Sequence, residues 1–283
     1  MTLYYGEHCI DALRRLPPRS VQTCITSPPY WMMRVSGGTP PRWADGYVGH
    51  LGSELDPDQY AQHLVEVFRA VKRVLAKDGT VFLNLGDVYA CRPSHQHHIG
   101  GGIEGTTADV DSYDRTTQYR RPTPSSIGLK SKDLSGIPWR VADALRDDRW
   151  HLRAEIIWYA RNRMPSRSNQ RPLLAHETIF LLSRQREYFF DRDAMPAEFK
   201  RSVWEVSTSK SRLGHPATWP EKLVEPMVLA TSRIGDCVLD PFSGTGTTGA
   251  VAKRLGRRFV GIDLDAKWHG LASGRAGNAG EAT

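Results

Sequence analysis

Cysteine is scarce in this sequence of 283 residues, and long apolar runs are missing. The cysteines are widely scattered and form no CxxC pair, which excludes a small disulfide-stapled framework. No apolar run approaches the ~20 residues that a membrane span needs, and the N-terminal segment has no basic stretch followed by an apolar core. We therefore expect a cytoplasmic protein with reduced thiols and no membrane partner. The four cysteines are Cys9, Cys24, Cys91 and Cys237.

Acidic residues are outnumbered by basic ones, 31 against 38, which gives a net charge of +7. This excess favours a polyanionic partner such as nucleic acid. Hydrophobic residues make up 40% of the chain, enough for a sizeable core, so collagen-like and wholly disordered classes are excluded. We expect one domain over residues 1–272, followed by a small, polar and disordered tail over 273–283.

Hydrophobic periodicity predicts alternating strands and helices, which is typical of an α/β fold with a parallel sheet. The helix that begins at Pro57 is expected to end at Lys77–Gly79. Residues 91–135 contain few aliphatic residues and are interpreted as a flexible insertion. The segment HETIFLLSR (176–184), with the following EYFFD, suggests an antiparallel addition to the sheet.

A glycine-rich turn lies near the C-terminus between a predicted strand and a predicted helix. The segment DPFSGTGTTG (240–249) contains G-x-G-x-x-G, whose glycines let the backbone approach a ligand at a helix N-terminus. Asp263 closes the next strand, where a carboxylate can accept hydrogen bonds from ribose hydroxyls. No lysine follows the glycines as in a P-loop, and Asp240 suits a cationic amino group better than a pyrophosphate. The pattern predicts a nucleoside ligand and favours S-adenosylmethionine over NAD.

A second motif, SPPY, follows the strand VQTCIT (21–26). Two consecutive prolines fix the backbone, so the Ser27 and Pro28 carbonyls remain as rigid acceptors. Tyr30 then offers an aromatic face. Acceptors beside an aromatic ring suit a nucleobase with an exocyclic amine, pulled out of its duplex.

The order of the two motifs indicates a circular permutation. A nucleoside-binding turn normally opens its fold, yet this one lies about forty residues from the C-terminus, too late for the rest of a doubly wound sheet to follow. N-terminal strands must therefore complete the sheet.

In this order, over residues 3–272, the chain resembles the amino-methylating DNA methyltransferases of the beta group. The resemblance implies a circularly permuted, Rossmann-like S-adenosylmethionine-dependent fold with a mostly parallel sheet and one antiparallel strand. Within this family SPPY is more usual for cytosine-N4 transfer, whereas DPPY and NPPY are more usual for adenine-N6. The segment NLGD (84–87) resembles the wall against the cofactor adenine, and HPATWP (215–220) resembles the segment that binds the methionine end.

The expected site follows from these matches and from the basic runs near 115–132 and 161–171. The catalytic residues are Ser27, Pro28, Pro29 and Tyr30. The cofactor-binding residues are Asn84, Gly86, Asp87, Pro216, Thr218, Asp240, Phe242, Gly244, Gly246, Thr247 and Asp263. The expected DNA contacts are Arg120, Arg121, Arg161, Arg163, Arg167 and Arg171, with target recognition near 161–213. No metal is required.

Other interpretations stay open at this point. Adenine-N6 transfer is a close variant of cytosine-N4 transfer. A nicotinamide-dependent oxidoreductase could use the same glycine turn, and a silent DNA-binding module could keep the fold without activity. Double-stranded DNA is the expected partner, while a cognate restriction endonuclease and a homodimer remain open.

Overall fold

The computed structural model describes residues 1–32, 37–90, 127–162, 169–208 and 219–278. In these ranges eight strands form one sheet, in the order β1-β8-β7-β2-β3-β5-β4-β6. The strands are β1 (Thr2–Tyr5), β2 (Val21–Thr26), β3 (Leu75–Leu85), β4 (His151–Tyr159), β5 (His176–Ser183), β6 (Val203–Glu205), β7 (Cys237–Asp240) and β8 (Arg258–Asp263). The helices are α1 (Cys9–Arg15), α2 (Pro57–Val74), α3 (Ile137–Asp147), α4 (Glu221–Thr231), α5 (Thr247–Arg254) and α6 (His269–Asn278).

The sheet is mostly parallel, with β5 running against both of its neighbours, β3 and β4. The predicted α/β class, with a mostly parallel sheet and an antiparallel strand, is confirmed. Strand β2 pairs with β7, and β1 pairs with β8, so N-terminal strands complete the sheet on both sides of the C-terminal unit. The motif order predicts this completion of the sheet by N-terminal strands.

The core lies on both faces of the sheet, which accounts for the continuous burial of central strand β2. Side chains from α1, α2 and α3 form one apolar cluster, and side chains from α4 and α5 form the other. Neighbouring β2 residues alternate between them, with Cys24 in the first cluster and Ile25 in the second. No helix in the described ranges is long and apolar enough to cross a membrane.

Helix α2 shows how local sequence sets an element. Asp56 caps its N-terminus by accepting a hydrogen bond from the Asp58 backbone amide at 2.9 Å, and Pro57 occupies the first turn. Its predicted end at Lys77–Gly79 is wrong, because the helix stops at Val74 and Leu75 already pairs with Val21 of β2. Pairing of Leu75 with the sheet therefore ends the helix before Gly79 is reached.

Two further expectations need correction at the edges of the domain. The tail is not disordered from residue 273, because α6 continues to Asn278. Arg275 on that helix donates to the hydroxyls of Thr245 and Thr247, at 3.1 and 2.9 Å, which holds it against the domain. Most of the predicted insertion lies outside the described residues, but its end, residues 132–135, pairs with residues 88–90 through backbone hydrogen bonds.

Candidate active site

The candidate residues meet at one edge of the sheet because of strand direction. Strands β2, β3, β7 and β8 are parallel, so their carboxyl ends lie along the same edge. These ends carry SPPY, NLGD, the glycine turn and Asp263. Because β5 is antiparallel, its first residues, His176 and Glu177, lie at this edge as well.

The glycine turn has the backbone that its sequence predicts. Gly244 and Gly246 both adopt positive φ angles, 48° and 78°, which favour glycine. Gly246 caps α5, and its amide donates to the Ser243 carbonyl at 2.8 Å. A Cβ at Gly246 would lie 2.9 Å from the Cβ of Ala272 on α6. This glycine therefore serves the shape of the turn and the close packing of α6.

Asp263 ties the end of β8 to the glycine turn. Its carboxylate accepts one hydrogen bond from the Gly244 amide at 2.7 Å and one from the Asp265 amide at 2.9 Å. Burial raises the pKa of this carboxyl, and the two amide donors oppose that effect. Each carboxylate oxygen can accept a further bond, as a ribose diol would require.

Asp240 joins three elements at the centre of the site. Its carboxylate accepts hydrogen bonds from the hydroxyls of Thr26 and Thr248, at 2.7 and 2.8 Å, and from the Phe242 amide at 3.1 Å. The residue is 5% exposed, and desolvation raises its pKa from an ordinary 3.8 to about 6 despite these donors. The bond to Thr26 fixes the start of SPPY beside the glycine turn.

The SPPY segment carries a chain of polar contacts. The Ser27 hydroxyl donates to the Tyr30 hydroxyl at 3.1 Å, which donates to the Glu177 carboxylate at 2.6 Å. The Pro29 carbonyl accepts from the Tyr60 hydroxyl at 2.9 Å. Within the described ranges, no donor is bonded to the Pro28 carbonyl. Ser27 and Pro28 thus present oxygen atoms at the sheet edge.

The residues of the segment NLGD make contacts with different parts of the protein. Asn84 donates to the Tyr30 hydroxyl at 2.6 Å and to Glu177 at 2.7 Å. Gly86 lies under the Tyr30 ring, because a Cβ there would approach the ring to 2.6 Å. Asp87 accepts from the amides of Gly136 and Ile137, both at 3.1 Å, and so caps α3. Burial raises the pKa of its carboxyl.

The remaining expected residues are only partly described. Phe242 is half-buried in the turn, and Thr247 is buried at the start of α5. Arg161 forms an ion pair with Glu205 of β6 at 2.5 Å, and the Arg171 guanidinium lies 3.5 Å from the centre of the Tyr89 ring. Six expected residues lie outside the described residues: Arg120, Arg121, Arg163, Arg167, Pro216 and Thr218.

Two residues with polar contacts in the site were missed by sequence reasoning. Glu177 contacts Tyr30 across 147 positions of sequence. Tyr5 of β1 donates to the Gly244 carbonyl at 2.8 Å, which ties β1 to the glycine turn. Both stand next to strand termini in the sequence, but no spacing rule connects them to the motifs they contact.

Comparison with known proteins places these features in a family. A family model described as DNA methylase, covering N6 and N4 methyltransferases, matches residues 21–273. The type II methyltransferase M.XycI of Xanthomonas campestris pv. cyanopsidis is 40% identical over 282 residues, covering 97% of this chain and 87% of that protein.

Solved structures share the fold. The cytosine-N4-specific PvuII DNA methyltransferase has a TM-score of 0.69 at 20% identity, covering 97% of this chain and 86% of that one. A DNA modification methylase from Thermus thermophilus, in complex with S-adenosylmethionine, has a TM-score of 0.65 at 22% identity, covering 100% of this chain and 98% of that one. From SPPY to the glycine turn and Asp263, the motifs at this sheet edge lie within the matched region, and the chain belongs to the N6 and N4 DNA methylase family.

Proposed function

We propose that this DNA methylase transfers the methyl group of S-adenosylmethionine to the exocyclic N4 amine of cytosine in double-stranded DNA. The observation that carries the proposal is the hydrogen bond between Thr26 and Asp240, 2.7 Å long. It holds the acceptor oxygens of Ser27 and Pro28 beside the glycine turn, so an amine at one site would face a methyl donor at the other.

The chemistry of the turn suits this cofactor. Asp263 offers lone pairs for ribose hydroxyls, and Asp240 offers a carboxylate for a cationic amino group. Two carboxylates at one turn would repel a pyrophosphate, which argues against the nicotinamide alternative. When bound, S-adenosylmethionine supplies a methyl group already activated by its sulfonium. Phe242, Gly244, Gly246 and Thr247 shape the surface against which it would lie.

The hydrogen-bond acceptors of SPPY can make the base amine a better nucleophile. An exocyclic amine shares its lone pair with the ring, so a site that accepts hydrogen bonds from both N–H groups makes that pair more available. The Ser27 hydroxyl and the Pro28 carbonyl are two such acceptors on a segment that prolines make rigid. Serine is a poor base at neutral pH, so its task is orientation, and the proton leaves after methyl transfer.

We assign DNA binding to the basic segments near 115–132 and 161–171. Arg161 and Arg171 are described, and each has a contact within the protein, to Glu205 and Tyr89 respectively. These contacts are compatible with phosphate binding, because exposed ion pairs are weak and a guanidinium stacked on a ring keeps its edge for other bonds. Arg120, Arg121, Arg163 and Arg167 are proposed as further contacts.

Adenine-N6 transfer remains the second candidate, since the family includes both reactions. The serine in SPPY favours cytosine, and one solved structure with this fold is the cytosine-N4-specific PvuII enzyme. The type II methyltransferases among the relatives also support a cognate restriction endonuclease as partner.

The test is mass spectrometry of nucleosides from unmethylated DNA treated with the purified protein and a cofactor bearing a deuterated methyl group. Deuterated N4-methylcytosine is the expected product. Deuterated N6-methyladenine would replace the proposal with the second candidate. No labelled base on diverse DNA, from protein that binds the cofactor by calorimetry, would refute both.

A further inference from the structure

The hydrogen-bond chain at the Ser27 end of the site has a direction. Glu177 lies at the start of β5, and its carboxylate can only accept hydrogen bonds. The Tyr30 proton is therefore committed to Glu177, at 2.6 Å. The Tyr30 oxygen must then accept, and it accepts from Ser27 at 3.1 Å.

Asn84 reinforces this direction from the neighbouring strand. Its amide nitrogen donates to both Tyr30 and Glu177, at 2.6 and 2.7 Å. The reversed amide would point its oxygen at a carboxylate, so only the donating orientation is favourable. In this orientation Asn84 Oδ1 is buried and has no hydrogen-bond partner among the described residues. A buried acceptor left unpaired is costly, which indicates that the donated bonds outweigh it.

Ser27, at one end of this hydrogen-bond chain, is the residue that would face the target base. Because the Ser27 proton points to Tyr30, the Ser27 oxygen presents its lone pairs to the sheet edge. A base amine offers only N–H donors, so an acceptor is the matching group. If the chain ran the other way, the Ser27 proton would oppose the N–H of the amine.

We propose that Glu177 is a positioning residue that fixes the direction of this chain and so makes Ser27 an obligate acceptor toward the target amine. The proposal rests on the proposed function, because it assigns the Ser27 site to an amine. It gives a positioning role to a residue that accepts hydrogen bonds from Tyr30 and Asn84 and acts on Ser27 through the Tyr30 hydroxyl.

The experiment compares Glu177→Gln with the wild type after the methylated sequence has been located by sequencing DNA exposed to the wild-type protein. Glutamine keeps the shape but can donate, so the chain can reverse. We expect the single-turnover methylation rate to fall about ten- to hundredfold, the loss typical of one charge-assisted hydrogen bond, while cofactor affinity changes less than about twofold. Glu155→Gln, an exposed residue of the adjacent strand β4, is the matched control and should keep the wild-type rate.

A binding assay distinguishes an effect on the direction of the hydrogen-bond chain from a general loss of structural support for the site. Two duplexes are compared without cofactor, one with cytosine at the target and one with 2-pyrimidinone, which lacks the amine. 2-Pyrimidinone pairs weakly with guanine and flips out at lower cost, so the cytosine preference is taken as the ratio of the two affinities and compared between proteins. That ratio should fall about tenfold from the wild type to Glu177→Gln, the size of one good hydrogen bond. Equal weakening toward both duplexes would mean mere structural support and would overturn the proposal.

Tyr30→Phe keeps the ring and cuts the chain, so it tests the proposal even if Glu177→Gln folds poorly. It should lose the same cytosine preference, and the double variant should lose no more than either single one. Additive losses would overturn the proposal. If the wild type itself methylates adenine or no base, the proposed function has failed, which is a separate result from a failure of Glu177 alone.

Discussion

Replacing Asp240 with asparagine should remove a specific pH dependence from the stability of the protein. Asp240 is 5% exposed, and its pKa is raised to about 6 chiefly by burial. A raised carboxyl pKa means that the folded state binds the proton more tightly than the unfolded state, whose pKa is about 3.9. The stability it contributes is therefore fully present below the unfolded pKa and is lost as pH rises through about 6.

The size of the effect follows from the same two values. At about 1.4 kcal/mol per pH unit, the wild type should lose about 2 to 3 kcal/mol between pH 4 and 7 that the asparagine variant does not lose. Urea unfolding of both proteins across this range measures the difference. Asp87, whose carboxyl also has a raised pKa, is common to both proteins, so its contribution cancels.

The same titration should appear in cofactor binding. If Asp240 receives the cationic amino group, only its ionised form binds well, so affinity for S-adenosylmethionine should rise about tenfold between pH 5 and 7 in the wild type. The asparagine variant should show no such rise. Parallel stability curves for the two proteins would refute the burial argument, and a cofactor affinity that rises equally in both would refute the assignment to the amino group.

Three further predictions follow from the sheet edge. Asp263→Asn should weaken cofactor binding about tenfold or more by calorimetry while the protein stays folded, and unchanged affinity would remove Asp263 from the ribose site. Asp87→Ala should lower the free energy of unfolding by about 1–2 kcal/mol through loss of the α3 cap and should also weaken cofactor binding; retained affinity by calorimetry would remove Asp87 from the cofactor site. DNA affinity should fall steeply with rising salt because phosphate contacts release counterions, and a flat salt dependence by fluorescence anisotropy would contradict the role of the basic segments.

The sequence predicts the elements of the fold well, because each depends on local periodicity. The strand that delivers SPPY, the glycine turn and the strand that ends at Asp263 all lie as expected. The predicted end of α2 is wrong because the real end depends on pairing between Leu75 and Val21, a contact between distant segments. The disordered tail was wrong over 273–278 because α6 is held by Arg275, whose partners lie in the turn.

The site was harder to predict than the fold for the same reason. The sequence of NLGD does not show that Asn84 donates to the Tyr30 hydroxyl while Asp87 caps α3. The two side chains are separated by the turn of the chain after β3. Glu177 could not be assigned from its own segment, since its contact with Tyr30 depends on the register between β3 and β5.

The most direct test of the central claim is a crystal structure of the protein with S-adenosylhomocysteine and a duplex that contains its target sequence. We expect a cytosine outside the helix, with its N4 amine within hydrogen-bonding distance of Ser27 Oγ and the Pro28 carbonyl and its ring against Tyr30. We also expect the sugar of the cofactor product at Asp263. A target base left in the duplex, or an amine held by other groups with Ser27 turned away, would contradict the proposed function.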